Sequence, residues 1–176
     1  LSELHDVYVN TLNKTVRVDA GCKFERLFPK IEQYGLHLPG GGCPTVAIAG
    51  FMQGGGYGIT SRMYGMNCDS VLECEVMLAD GSIITVNDSN EHKRLFWAIR
   101  GGTGGNFGVL LNVTYQLYEL GNIWGIQMKW IIDDDCETAS QVLYAIQQNY
   151  LAEGAYPNLG IETVLTTDYT DGLKKI

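Results

Sequence analysis

Residues 38–65 read LPGGGCPTVAIAGFMQGGGYGITSRMYG, nine glycines and two prolines around a single cysteine, Cys43. Glycine lets a backbone take up conformations with positive φ and approach another group closely. Such backbone often cradles phosphate groups. The two familiar phosphate signatures are absent. A G-x-G-x-x-G read from Gly54 fails at Ile59, from Gly56 at Ser61 and from Gly102 at Phe107, and no Gly-Lys-Ser/Thr occurs anywhere. Two readings stay open on composition alone: loops at sheet corners, or a cofactor cradle of another geometry. Cys43 has the same two readings. Set between Gly42 and Pro44, it is outside any regular helix or central strand, unlike Cys74 within the apolar LECEV. It is a candidate for chemistry or covalent attachment, or else a small packing residue.

Outward from this stretch, period-two alternation predicts strands. Residues 7–20 read as two short strands about an Asn13-Lys14 turn, and residues 70–79 as a strand turning at Asp80-Gly81 into Ser82–Val86. Further strands are predicted at Val109–Tyr118, 124–132 and 159–166. Helices are predicted at 23–34, strained by Pro29 and capped by Gly35, at 91–99, and over Cys136–Leu151. Asp133–Asp135 reads as a solvated acidic turn without calcium-loop spacing. Gly121-Asn122 marks a candidate boundary between a part at 1–120 and a part at 121–176.

The chain has 176 residues and a net charge of −8, against a general nucleic-acid or anionic-membrane binder. No apolar run reaches the roughly 18 residues of a membrane span. Five cysteines cannot close into intrachain pairs, and His5, His37 and His92 are scattered without a CxxC, against a zinc site. Sequons at Asn13, Asn87 and Asn112 lean toward secretion. The start at Leu1 and the ending at Ile176 suggest a piece of a longer protein.

Three segments in order, GGCPTVAIAGFMQGGGYGITSRMYG, VMLADG and LFWAIRGGTGGNFGVL, resemble the flavin domain of berberine-bridge-enzyme-like oxidases of the vanillyl-alcohol-oxidase superfamily. The resemblance covers residues 37–118, and the flank from Val16 also fits. It implies an α+β fold: a PCMH-type FAD-binding domain at 1–120, lacking its N-terminal part, then the start of an antiparallel-sheet substrate domain at 121–176. It implies FAD as cofactor, joined by a thioether from Cys43 to the flavin ring. Pro44 would set the loop's entry and Thr45 would hydrogen-bond the cofactor. Gly50, Gly54, Gly55, Gly56 and Gly58 would wrap the pyrophosphate and ribitol, and Gly108 and Val109 would lie against the cofactor. Val46 matches the position that gates oxygen access, and its small size suggests an oxidase. The implied partners are a small-molecule substrate and O2. A dehydrogenase with another acceptor and a non-catalytic binding remnant are the alternatives.

Two positions depart from the family pattern, Ala47 and Thr103 where glycine is common. Ala47 would crowd a flavin unless its φ is negative, and Thr103 reads as the milder change. The second flavin tether, a histidine, lies upstream of Leu1 and the catalytic base beyond Ile176, so no catalytic residue is assigned. Tyr57, Arg62, Tyr64, His37 and His92 read as structural, and Asp69 as a tie to backbone. Trp124, Met128 and Trp130 read as core packing, with substrate contact as the alternative.

Overall fold

The computed structural model describes residues 1–130, 136–151, 156, 158–164, 168–170 and 173–175. Two units divide at Gly121 and Asn122. The first is a five-stranded antiparallel sheet with helices packed on one face. Its strands are β1 (Val7–Asn10), β2 (Thr15–Asp19), β4 (Val71–Met77), β5 (Ile83–Asn87) and β6 (Val109–Gln116), in spatial order β1-β2-β6-β4-β5. A two-residue β3 (Leu36–His37) pairs separately with β7 (Tyr118–Glu119). The helices are α1 (Phe24–Glu32), α2 (Ile48–Gln53), α3 (Ser61–Tyr64) and α4 (Lys93–Ile99), with a 3-10 turn at Asn67–Ser70.

The alternation read from the sequence becomes one buried row across the sheet. Val7 pairs with Val18, Val18 with Val113, Val113 with Cys74, and Cys74 with Val86. All five are buried, because successive side chains on a strand point to opposite faces and this register puts each apolar set inward. The adjacent positions make the outer face polar: Arg17 bonds the Glu75 carboxylate at 3.1 Å, and Asn112 also donates to Glu75. These bonds, Asn112's foremost, hold the Glu75 carboxyl below the usual carboxylate range. The β4–β5 connection closes with the Gly81 N–H donating to the Leu78 carbonyl at 3.0 Å.

Helix α1 buries Phe24, Leu27 and Ile31. Pro29 is accommodated on its exposed face, where its missing N–H would have reached back to exposed Glu25. Helices α1 and α2 cap one another. The N–H groups of Phe24 and Glu25 donate to the Val46 and Pro44 carbonyls at 3.1 and 2.9 Å. Those of Ile48 and Ala49 donate to Cys22 and Ala20 at 2.8 and 3.1 Å. Helix-end donors that would otherwise lack partners thereby fix the loop holding Cys43 on its C-terminal side.

The second unit contains α5 (Glu137–Ile146), continued by a π-helical turn at Gln147–Leu151, and a hairpin of β8 (Asp168–Thr170) with β9 (Leu173–Lys175). Two sequence expectations fail here. Residues 124–130 and 159–164 are irregular rather than strands, while 131–132 and 165–166 lie outside the described residues, as does Asp133–Asp135. The alternating Trp124, Met128 and Trp130 meet the strand pattern but are exposed, not core. A strand forms only against a hydrogen-bonded neighbour, and the described residues give these segments none. No helix among the described residues is long and apolar enough to cross a membrane.

Candidate functional site

The nine glycines of 38–65 divide by what a side chain would meet. Gly40 lies on the rings of Phe24 and Phe28, where a Cβ would come within 2.7 Å of Phe28. Gly56, at φ +69°, would place a Cβ 2.4 Å from the Phe51 ring. These three rings form one cluster: Phe24 stacks on Phe28 with centroids 4.9 Å apart and meets Phe51 edge-on at 4.9 Å. Gly58 crosses Gly40 so closely that a Cβ would fall 1.9 Å from the Gly40 carbonyl oxygen. Packing within the chain therefore requires glycine at 40, 56 and 58.

Gly42 and Gly50 differ. A Cβ at either meets no atom within 4 Å. Gly50 is exposed in the first turn of α2, where its N–H finds no acceptor among the described residues. Glycine costs about 1 kcal/mol against alanine in a helix, so nothing inside the described structure favours it here. Gly54 is also exposed. The N–H groups of Gly54, Gly55 and Gly58 are engaged within the chain, by Gly50 O, Met52 O and Ser61 Oγ.

Cys43 is exposed, as are Pro44 and Thr45, whereas Val46 is half-buried against the core. The Cys43 Sγ is 3.4 Å from the Thr45 hydroxyl. Hydrogen bonds from that hydroxyl and from the Thr45 backbone hold the Cys43 thiol below the usual thiol value. The buried thiols of Cys22, Cys68 and Cys74 are pushed up by burial, Cys74 to about 12. The thiolate is the nucleophilic form, so Cys43 combines access with activation and these three have neither.

The second glycine cluster meets the C-terminal end of α2. The Thr103 N–H donates to the Gln53 carbonyl at 2.9 Å, docking residues 100–108 on the end of α2. Between them lies a cleft of about 190 Å³, lined in part by Ala49, Gln53, Gly105, Gly108, Val109 and Leu110. Gly108 sits at φ +129° where a Cβ would meet the Met77 carbonyl at 2.7 Å, and exposed Val109 opens β6. Cys43 is not among the residues lining this cleft.

The two departures exchange importance. Ala47 has φ −87°, a conformation open to any residue, and caps α2 without strain. Thr103 has φ +67°, costly for a β-branched residue. Asn106 holds it there, donating to the Thr103 hydroxyl at 2.7 Å.

Asn67 is the residue the sequence reading missed. Fully buried, it donates from Nδ2 to the Pro39 carbonyl at 2.7 Å and accepts the Tyr115 hydroxyl on Oδ1 at 3.0 Å. Its N–H donates to the Gly56 carbonyl at 2.8 Å. One side chain thus ties the cysteine loop to β6 and, through its backbone, to the glycine run. Among the residues read as structural, Tyr64 stacks on Tyr118 at 4.6 Å and His37 bonds the Thr60 hydroxyl at 2.8 Å. Burial lowers the His37 pKa. Asp69 accepts the Met66 N–H at 2.9 Å, a tie to backbone as its position suggested. Tyr57 is exposed.

Residues 1–87 match the FAD binding domain family. An uncharacterized FAD-linked oxidoreductase of Bacillus subtilis, YgaK, is 36% identical over 138 residues, 76% of this chain and 30% of the relative. The berberine bridge enzyme of Eschscholzia californica superposes with a TM-score of 0.65 at 32% identity, over 69% of this chain and 24% of that one. The chain belongs to the berberine-bridge-enzyme-like family of FAD-binding oxidoreductases. Physcomitrella patens BBE-like 1, another member, matches at TM-score 0.64 and 33% identity, over 68% of this chain and 26% of that one. The chain thus spans less than a third of the length of the curated relative it is compared with.

The structure fits the family's cofactor on its own terms. An accessible, activated thiol stands in a loop held before it by Asn67 at the Pro39 carbonyl and after it by the bonds of Pro44 and Val46 to α1, and two open-faced glycines flank it in sequence.

Proposed function

We propose that this chain supplies the flavin-holding body of an FAD-dependent oxidase, with Cys43 as a covalent anchor to the flavin ring. FAD, when bound, accepts a hydride from an alcohol, carbohydrate or secondary-metabolite substrate and passes the electrons to O2, giving hydrogen peroxide. The observation that carries the reading is the contrast between Cys43, exposed with a lowered thiol pKa, and the buried Cys22, Cys68 and Cys74.

In this reading Thr45 polarises the thiol, and Pro44 and Val46 fix its direction through their bonds to α1. Gly50 admits the cofactor against bare backbone. Gly54, Gly55, Gly56 and Gly58 shape the wall behind it, and Gly108 and Val109 form the far side of the cleft. Residues 122–176 begin a substrate-binding domain. No residue of this chain is assigned as the catalytic base.

A matched pair of variants tests the glycine assignment. Gly50→Ala adds a methyl to open space in a helix, so stability holds or rises by up to about 1 kcal/mol while flavin retention falls. Gly58→Ala drives a methyl into the Gly40 carbonyl and costs about 1–3 kcal/mol of stability. Denaturant titration and flavin-to-protein absorbance ratios, on the full-length protein, separate the two. Equal flavin retention by Gly50→Ala and wild type would remove Gly50 from the site.

Val46 supports oxygen as the acceptor because it leaves more room than a longer branched residue. A dehydrogenase is the second reading. Phl p 4 variants described as a glucose dehydrogenase and as a glucose oxidase match this chain at 30% and 31% identity, both with a TM-score of 0.63 over 68% of this chain and 24% of theirs. Photoreduced full-length protein exposed to air is expected to regain its flavin absorbance promptly and release hydrogen peroxide. Slow recovery without peroxide would favour the dehydrogenase.

A further inference from the structure

The three sequons stand in very different settings. Asn112 lies on β6, the central strand between β2 and β4. It is 5% exposed and its amide donates to the Glu75 carboxylate. Asn87 ends β5, where its Nδ2 donates to Glu73 Oε2 at 3.0 Å and its Oδ1 accepts the Ser89 N–H at 2.9 Å. Both amides are committed to neighbours. Asn13 sits at the tip of the β1–β2 hairpin, exposed, with no hydrogen bond to its side chain among the described residues. The tip is held in shape independently: the N–H groups of Leu12 and Asn13 both donate to Asn10 Oδ1 at 3.1 Å. Thr15, which supplies the sequon hydroxyl, is only partly buried.

We infer that Asn13 is an N-glycan acceptor when the protein passes through a secretory pathway, and that Asn87 and Asn112 are silent. The transfer requires the amide nitrogen as nucleophile. Nδ2 of Asn13 bonds to the anomeric carbon of a lipid-diphosphate-linked oligosaccharide, whose bond to the diphosphate breaks. The lipid diphosphate leaves with the electron pair, and the amide proton passes to a base of the transferase. A glycan on the hairpin tip displaces no described contact. One on Asn112 would break its bond to Glu75 at an amide with little exposure, and one on Asn87 would break its bond to Glu73.

The test is translation of the full-length protein, behind a cleavable secretory leader, into microsomes. The folded, protease-resistant fraction is then treated with peptide N-glycosidase in heavy-oxygen water and mapped by mass spectrometry. The expected result is one glycan, recorded as labelled aspartate at position 13 and lost in Asn13→Gln, a variant that changes only an exposed side chain. Absence of a glycan at Asn13, or a glycan that survives in Asn13→Gln, would overturn the inference.

Discussion

Asn67→Ala is expected to destabilise the protein by about 3 kcal/mol and to lower its denaturation midpoint accordingly. The substitution removes partners from two buried groups at once, the Pro39 carbonyl and the Tyr115 hydroxyl. Each unsatisfied buried group costs about 1–3 kcal/mol, and neither gains water, because Pro39 and Tyr115 are buried. Tyr115→Phe removes one of the two bonds with its donor and is expected to cost less, about 1 kcal/mol. The double variant should fall well short of the sum of the two losses, since both singles break the same bond. Flavin retention should fall with Asn67→Ala even under conditions where the protein stays folded, because Pro39 leads into the loop of Cys43. Additive losses in denaturant titrations of the four proteins would show that the two side chains act independently.

Cys43→Ala is expected to abolish the thioether link to the flavin. Mass mapping of the wild-type full-length protein should find flavin on the peptide that carries Cys43 and none there in the variant, whose acid-precipitated pellet should hold its colour less firmly or release it. Stability should be nearly unchanged, because the Cys43 side chain is exposed and, among the described residues, bonds only to Thr45 and the Val46 backbone. Thr45→Val should show the intermediate effect, slower covalent loading at neutral pH that recovers as pH rises. The sign follows from the thiol: Thr45 lowers the Cys43 pKa, so removing the hydroxyl returns it upward and moves thiolate formation to higher pH. Loading in Thr45→Val at the wild-type rate and pH dependence would show that the hydroxyl plays no part in activation.

Much of the sheet was legible because period two is a local signal. Val16 and Val18 alternate with Arg17 and Asp19, and the buried row through Val113 and Cys74 realises that alternation. The same signal misled at 124–130, where the pattern is present and the partner strand is not. Cys43 stood out because its glycine and proline neighbours exclude regular structure. The division of the glycines was not legible. Gly40, Gly56 and Gly58 answer to aromatic rings on two helices and to one another's backbone, none of which a spacing rule records. Asn67 was invisible for the same reason, its side-chain partners lying 28 and 48 residues away. Thr103 and Ala47 were ranked the wrong way round because φ, not side-chain size, decides where a glycine can be replaced.

On the proposed reading the second unit bears on substrate rather than cofactor. Its exposed Trp124, Ile126 and Met128 offer apolar surface on irregular backbone, in the segment that follows the flavin-holding unit. On the proposed reading these residues belong to the substrate-binding domain and leave cofactor uptake untouched.

The measurement that bears most directly on the account is the visible absorption spectrum of purified full-length protein, before and after addition of FAD. The account predicts a yellow protein with two flavin bands, or one that acquires them on adding FAD. A folded, colourless protein that takes up no added FAD would contradict it, leaving a flavin-type fold that serves as a binding module without the cofactor.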